Sequence, residues 1–334
     1  MRRKLAVGLV GVAGVAVARR RASPVPAAAP PPLVGRQRMV LTEDGVELAV
    51  TEHGPEDAVA TFVLLHGYVQ SSALWNGQVR DLLAARPDLK VVTYDHRGHG
   101  GSGRVTRDRA NLEQLGRDLE RVVNDLAPTG PMLVGGHSMG GMTIMALAEQ
   151  APELFGDRII GVALVSTSSG RLREVTYGLP APVAQLVRRL LPVLTEKGRR
   201  DELKGRPRTV TAAEARLIFG KGADPVLVKE ALDVQRACRA ETVAYFLPTF
   251  SQHDRLEVLK VMSDVPTVVI VGDRDRLCPI GHSRLLAGAL AGSELVVYPG
   301  VGHMVQLERR TEVSRQLLAL LDRALASTSG PVSR

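Results

Sequence analysis

Residues 131–141 read PMLVGGHSMGG, and this stretch is the most informative in the sequence. Its first four residues form a short apolar strand, and residues 139–150 continue as an apolar helix. Between them, the pattern Gly136-x-Ser138-x-Gly140 places a serine on a sharp strand-to-helix turn. Such a turn is strained, and larger side chains beside it would collide, which explains the glycines. The helix N-terminus adds N–H groups where a negatively charged oxygen would develop. The pattern therefore predicts a nucleophilic serine rather than an idle residue in a glycine-rich turn.

Outside this stretch, apolar strands alternate with helices. The predicted strands are 46–51, 60–65, 90–94, 132–134, 159–165, 265–271 and 294–298, and the predicted helices are 75–85, 112–126, 139–150 and 306–325. This alternation predicts an α/β fold with a mostly parallel central sheet and helices on both faces. Residues 171–262 lack a convincing strand but contain helix-like segments at 182–194, 212–219 and 225–236, as expected for an inserted helical cap.

These patterns divide the chain into five parts. We expect the globular part to start near Gln37, with the first part of the α/β core at 37–170, the cap at 171–262, the second part of the core at 263–326 and a tail at 327–334. The preceding residues 1–36 are expected to be a signal or anchor segment followed by a Pro- and Ala-rich linker.

The N-terminal segment has an apolar run at 5–18, with basic residues on both sides. As a helix, this run would rise only about 21 Å against a hydrocarbon core of about 30 Å, which suits a signal peptide better than a full span. An uncleaved membrane anchor is the competing interpretation, and a frayed cytoplasmic tail is a third. We expect membrane association or export to the cell envelope.

Charge and composition narrow the classes of partner. The formal net charge is +8, but eight basic and no acidic side chains lie in residues 1–41, so the remainder holds 35 of each sign. A neutral body gives no reason to expect a nucleic-acid partner. Two cysteines and eight histidines without an HExxH pair do not indicate a metal site, and we expect neither a metal nor a cofactor.

A catalytic serine needs a base, because its hydroxyl is a poor nucleophile at neutral pH. The expected chain order for a serine on this kind of turn is serine, acid, histidine. An apolar strand at 268–271 leads into Asp273 and Asp275, and the strand at 295–298 leads into His303. Both loops follow the carboxyl ends of strands, where open α/β sheets place their sites. We therefore expect His303 to be the base and one of the two aspartates to be the acid.

The region from Val40 to Leu325 resembles the α/β-hydrolase family, in particular its carboxylesterase, perhydrolase and lipase-like members. Besides the serine turn, the acid loop G-x-x-D-x-x-x-P of that family is matched by Gly272-x-x-Asp275-x-x-x-Pro279. The resemblance implies that Asp275, rather than Asp273, is the acid. Some members place the acid after the preceding strand instead, but here that strand ends in Ser-Thr-Ser at 166–168, without a carboxylate.

The same resemblance implies an oxyanion hole. Family members carry a His-Gly-x loop after an early strand, which is matched by His66-Gly67-Tyr68. The match assigns the backbone N–H groups of Tyr68 and Met139 to the oxyanion, while His66 orders the loop.

Residues 95–102, DHRGHGGS, resemble a structural turn of that family, D-x-R-G-x-G-x-S. They overlap Gly98-x-Gly100-x-x-Gly103, which is formally a dinucleotide-binding fingerprint. A charged loop follows these glycines where a nucleotide site would need a helix, so we expect a turn and no cofactor site.

These observations predict a serine hydrolase that cleaves carboxylic esters through an acyl-enzyme on Ser138. Lipid esters are slightly favoured, because the N-terminal segment would place the enzyme at a membrane. A cofactor-free perhydrolase or haloperoxidase-like activity with the same triad, and hydrolysis of amides, lactones or thioesters, remain open alternatives, since fold does not determine substrate. A binding module without chemistry is the non-enzymatic alternative. The sequence does not indicate the oligomeric state.

Overall fold

An eight-stranded sheet runs through the computed structural model, which describes residues 33–127, 129–206, 209–210 and 212–328. The strands are β1 (Arg36–Leu41), β2 (Glu47–His53), β3 (Ala60–Leu65), β4 (Leu89–Tyr94), β5 (Met132–His137), β6 (Ile159–Val165), β7 (Thr267–Gly272) and β8 (Glu294–Tyr298). They lie in the order β1-β2-β4-β3-β5-β6-β7-β8. Only the pairings that involve β2 are antiparallel; all others are parallel. The predicted mostly parallel sheet is confirmed.

Helices cover both faces of this sheet, which confirms the predicted fold class. The helices are α1 (Asn76–Ala85), α2 (Leu112–Leu126), α3 (Met139–Gln150), α4 (Ala181–Leu203), α5 (Ala212–Ile218), α6 (Pro225–Ala237), α7 (Ala240–Gln252), α8 (Ile280–Ala289), α9 (Val305–Glu308) and α10 (Arg310–Thr328). Helices α2, α3 and α8 pack into the apolar cluster on one face, and α1 and α10 into the cluster on the other.

The alternation of side chains along β3 shows how one strand serves both clusters. Phe62 and Leu64 contribute to the cluster with α1 and α10, whereas Val63 and Leu65 contribute to the opposite one. Successive side chains of a strand point to opposite faces, so a strand covered on both sides is buried along its whole length and is mostly apolar. Every residue of β3 to β7 is buried accordingly.

Several elements lie at their predicted bounds, and others differ from the prediction. Strands β3, β6 and β8 and helices α2 and α3 match their predicted bounds. Strand β1 was not predicted, because it is an edge strand in which only Val40 is buried. The prediction of one closing helix over 306–325 is wrong: the chain breaks at Arg309 into α9 and α10.

Between β6 and β7, the described residues form helices α4 to α7 and short turns, without a strand. We call residues 171–262 the cap region. Helix α7 joins it to the rest of the fold, because Thr242 Oγ1 donates to Gly98 O at 2.8 Å and Thr249 Oγ1 accepts from Leu112 N at 3.1 Å. Much of α4, in contrast, is exposed.

The predicted signal or anchor segment lies outside the described residues, apart from the last residues of its linker. In the part of the chain that the structure describes, none of the helices combines the length and apolarity needed to cross a bilayer.

Candidate active site

Ser138 lies on the turn between β5 and α3, with φ 52° and ψ −115°. This conformation is rare for a residue with a side chain, and tight surroundings hold it in place. A Cβ atom added at Gly136 would lie 2.4 Å from the carbonyl carbon of Gly140, and one added at Gly140 would lie 2.5 Å from Leu65 O. Both positions therefore require glycine, as the sequence pattern predicts.

Two hydrogen bonds fix the backbone of Ser138. Its N–H donates to Val165 O at 2.9 Å, and its carbonyl accepts from Thr167 Oγ1 at 2.7 Å. Thr167 also fills the space beside Gly141, where an added Cβ would lie 2.7 Å from its side chain. This role of Thr167 was not predicted, and only its position just beyond a buried strand signalled it.

The structure brings His303 and Asp275 together. His303 Nδ1 lies 2.8 Å from Asp275 Oδ2. Both residues are buried, with exposed fractions of 4% for His303 and 5% for Asp275. The second carboxylate oxygen, Oδ1, accepts from the N–H groups of Leu277 and Cys278, each at 2.9 Å. A carboxylate can only accept, so Nδ1 of His303 carries the proton and Nε2 remains as an acceptor.

Asp273, the other candidate acid, has a different partner. Its Oδ1 accepts from Gly300 N at 2.7 Å and lies 3.7 Å from Arg274 Nε. Asp273 therefore holds the start of the loop that carries His303, and the structure does not bring it to the imidazole.

His137 links the serine turn to the His303 loop. Its ring centroid lies 4.7 Å from that of His303, and its Nε2–H donates to His303 O at 3.0 Å. Burial holds the pKa of His137 well below its usual value, so the ring is neutral. In the described chain no hydrogen bond joins the Ser138 hydroxyl to His303, and catalytic hydrogen bonds are often long without substrate.

The loop after β3 packs against His137 and Ser138. A Cβ added at Gly67 would lie 2.6 Å from His137 Nδ1 and 3.2 Å from Ser138 Cβ. Next to Gly67, Tyr68 shares an apolar cluster with Met139, the first residue of α3. The structure thus brings the two residues of the expected oxyanion hole to one side of the serine.

Buried histidines hold this loop in position. His66 Nε2 accepts from His96 N at 2.9 Å, and its Nδ1–H donates to Gly67 O at 2.7 Å. His99 Nε2 accepts from Val69 N at 3.2 Å, and its Nδ1–H donates to Arg97 O at 3.1 Å. Burial lowers the pKa of His66 and lowers that of His99 to about 3, which keeps both rings neutral.

The glycines of the formal dinucleotide fingerprint form a closed turn. A Cβ added at Gly100 would lie 2.0 Å from Asp95 Oδ2, and this carboxylate also accepts from Gly101 N and Ser72 N at 2.8 and 2.7 Å. The next helix begins only at Leu112, so the glycines do not open a helix that could hold a phosphate. Nor do the described residues contain a group of three or more His, Cys, Asp or Glu placed to hold a metal ion.

Comparisons with known proteins identify the family of the chain. The chain is 29% identical to a monoacylglycerol lipase of Mycolicibacterium smegmatis, over 78% of this chain and 87% of the relative. It is 26% identical to a bifunctional esterase/perhydrolase of Acinetobacter calcoaceticus, over 84% of this chain and 98% of the relative. A thermophilic esterase from Thermogutta terrifontis has a similar structure, with a TM-score of 0.70 and 22% identity over 86% of this chain and 99% of the esterase. The sequence profile of the alpha/beta hydrolase fold matches residues 60–310, and the chain therefore belongs to the alpha/beta hydrolase family.

Proposed function

We propose that this protein is a serine hydrolase that cleaves carboxylic esters, with Ser138 as nucleophile, His303 as base and Asp275 as the acid that orients the base. The observation that carries the proposal is the bond of 2.8 Å between His303 Nδ1 and Asp275 Oδ2, which leaves Nε2 as an acceptor beside the serine turn. A buried, positioned carboxylate sets the tautomer that a base needs.

The reaction runs in two halves. His303 Nε2 takes the Ser138 hydroxyl proton as the oxygen attacks the ester carbonyl carbon, and the protonated imidazole then gives this proton to the departing alcohol. Water repeats the sequence on the acyl-enzyme and releases the acid. The N–H groups of Tyr68 and Met139 stabilise the tetrahedral oxyanion, and loss of one such donor costs about 3 kcal/mol.

An apolar cluster beside the nucleophile supports an apolar substrate. Met139 and Met142 of α3 pack there with Phe246 of the cap region and with Cys278, and Tyr68 packs against them. We propose that the acyl chain lies along this cluster under α7. The monoacylglycerol lipase among the relatives supports lipid esters as substrates.

Cys278 does not compete with Ser138 as the nucleophile in this proposal. Burial and the nearby Asp275 carboxylate raise the pKa of its thiol well above the usual value, and a thiol is a much weaker nucleophile than a thiolate.

A perhydrolase activity is the second candidate, because it uses the same three residues and a relative is a bifunctional esterase/perhydrolase. A p-nitrophenyl ester assay run beside a peroxide-dependent halogenation assay separates the two. We expect ester turnover to dominate; halogenation that exceeds ester turnover would favour the second candidate. Amide, lactone and thioester substrates belong in the same panel.

Replacement of the nucleophile tests the main proposal. We expect Ser138→Ala to lower ester turnover by about 10⁴-fold or more and to abolish labelling by a fluorophosphonate probe. Ser166→Ala is the matched control, because Ser166 is a buried serine just after the adjacent strand, and its hydroxyl has no hydrogen-bond partner among the described residues. Full turnover by Ser138→Ala would refute the proposal, and so would an inert parent protein, which would indicate a binding module.

Replacement of the two aspartates tests the choice of acid. We expect Asp275→Asn to lower kcat by about 10⁴-fold, because an amide cannot favour the required tautomer of His303. Asp273→Asn should lower kcat far less, since Asp273 contacts Gly300 and Arg274 rather than the imidazole. Equal losses in the two variants would contradict the assignment.

We also propose that residues 5–18 attach the enzyme to a membrane or direct its export. N-terminal sequencing of the native protein tests this. A start beyond residue 18 indicates cleavage, whereas an intact N-terminus in the membrane fraction indicates an anchor.

A further inference from the structure

One carboxylate connects the cap region with the loop that carries the base. Glu308 lies in α9, five residues after His303. Its Oε1 accepts from Gly302 N at 2.9 Å, and its Oε2 accepts from Gly220 N at 3.0 Å, with Oε1 at 3.2 Å from the same N–H. Gly302 directly precedes the base, and Gly220 belongs to the cap region. The Glu308 side chain therefore holds both segments at once.

The cap region and the loop that carries His303 are also joined by backbone hydrogen bonds and close backbone packing. Ile218 O accepts from His303 N at 2.8 Å and from Met304 N at 3.1 Å. A Cβ added at Gly302 would lie 2.5 Å from the carbonyl carbon of Phe219, and one added at Gly220 would lie 2.1 Å from Gly300 O. Residues 218–220 thus pack directly against the loop that carries His303. A small shift of these residues would therefore move the His303 imidazole.

Folding disfavours the ionised form of the Glu308 carboxyl group. Burial raises its pKa, although the two backbone N–H groups and Arg309 act in the opposite direction. The ionised form is therefore less favourable in the folded than in the unfolded chain. A residue whose ionised form is disfavoured by folding but which contacts both segments is better explained by a role in positioning than by a role in folding.

We propose that Glu308 is a positioning residue that sets His303 through Gly302 and transmits the position of the cap region to the base. This inference rests on the proposed role of His303. Glu308 touches neither the substrate nor the reacting atoms, so its effect should appear in the rate of the chemical step and not in substrate binding.

Glu308→Gln is the main test, assayed in the full-length protein with a short, soluble p-nitrophenyl ester. The amide keeps one acceptor but turns an NH2 group toward a backbone N–H, which loosens the connection. We expect kcat and the limiting rate of fluorophosphonate labelling to fall about 10- to 100-fold, in the range that a displacement of about 1 Å can cause. KM should change less than about twofold, since the substrate pocket is unaltered.

Thermal unfolding separates positioning from folding. Because the pKa of Glu308 is raised, its ionisation destabilises the parent as pH rises above the ordinary glutamate value. The difference in Tm, variant minus parent, should therefore become more positive from pH 4 to pH 8. Glu312→Gln, which lies just beyond on α10, is the matched control and should leave kcat unchanged.

The outcomes distinguish this inference from the proposed function. An inactive Ser138→Ala together with an unimpaired Glu308→Gln would overturn the inference alone, whereas an active Ser138→Ala would overturn the proposed function. If Glu308→Gln melts below the assay temperature, Glu308→Asp takes its place: it keeps the charge but is too short to hold both segments. A kcat within about twofold of the parent in the folded variant, or an equal loss in Glu312→Gln, overturns the inference.

Discussion

Helices α3 and α4 are both rich in apolar residues, yet they lie in opposite environments. In α3, ten of the twelve residues are buried, whereas in the 23 residues of α4 only Ala184 is buried. Large apolar side chains on α4 remain exposed, for example Leu186 at 56%, Val193 at 64% and Leu194 at 58%. Composition therefore does not determine burial. Helix α3 packs on the sheet, whereas α4 packs chiefly on α7 of the cap region.

This difference indicates that the two regions contribute unequally to stability. The sheet and the helices on it supply stability and hold the serine turn, so changes there should unfold the protein. Exposed positions of the cap region contribute few buried contacts, so changes there should leave stability nearly intact. Two pairs of variants and one pH series test this division, beginning with the change that should affect stability most.

The first pair compares two glycines. Gly136→Ala should lower the free energy of unfolding by about 3 kcal/mol or more, because the new methyl group would overlap the backbone of Gly140 and Gly141. Gly198→Ala in α4 should raise it by about 0.5–1 kcal/mol, since among the described residues an added Cβ there meets no atom within 4 Å beyond the local helix backbone, and alanine favours helix. Urea denaturation measures both. Similar destabilisation in the two variants would mean that α4 is as tightly packed as the serine turn.

The second pair compares two leucines. Leu147→Ala in α3 should cost about 2–5 kcal/mol, because it leaves a cavity at a fully buried position. Leu194→Ala should change stability by no more than about 0.5 kcal/mol, because more than half of that side chain is already exposed. A loss above about 2 kcal/mol for Leu194→Ala would show that a second surface covers α4 in solution.

The third test concerns pH and the end of α7. His253 is buried, donates from Nε2 to Ser168 O at 2.7 Å, and has its pKa lowered to about 4 by burial and Arg255. The unfolded chain binds this proton near pH 6.5, so stability is lost as pH falls from 6.5 toward 4. His253→Gln should reduce that slope by about 1.4 kcal/mol per pH unit. Denaturation midpoints at pH 7, 6 and 5 measure it, and an unchanged slope would contradict a neutral His253.

The serine turn was predictable because its signals are local. Gly136 and Gly140 both lie close to Ser138 in the chain, so the motif can be recognised locally, although the Leu65 carbonyl that requires glycine at position 140 belongs to another strand. His303 and an aspartate partner were predictable because each follows an apolar strand, and parallel strands bring their carboxyl ends to one edge. The choice of Asp275 over Asp273 rested on the resemblance to the α/β-hydrolase family.

Other features depend on partners that are distant in the chain. The bond from Thr167 to Ser138 and the contacts of Glu308 with Gly220 join segments that lie 29 and 88 positions apart. The helix break at Arg309, where φ is −130° and ψ is 48°, carries no glycine or proline signal in the sequence. Strand β1 lacks apolar alternation, since it needs only one buried side chain at the sheet edge.

The attachment of the cap region to both loops around Ser138 limits how such enzymes can be re-engineered. Tyr68 donates its phenol to Val243 O on one side, and Ile218 accepts from His303 on the other. A cap region taken from another protein and inserted between β6 and β7 would form neither hydrogen bond. Chimeras that aim at new substrates should therefore retain residues 218–220 and the first turn of α7, and exchange only the exposed helix α4.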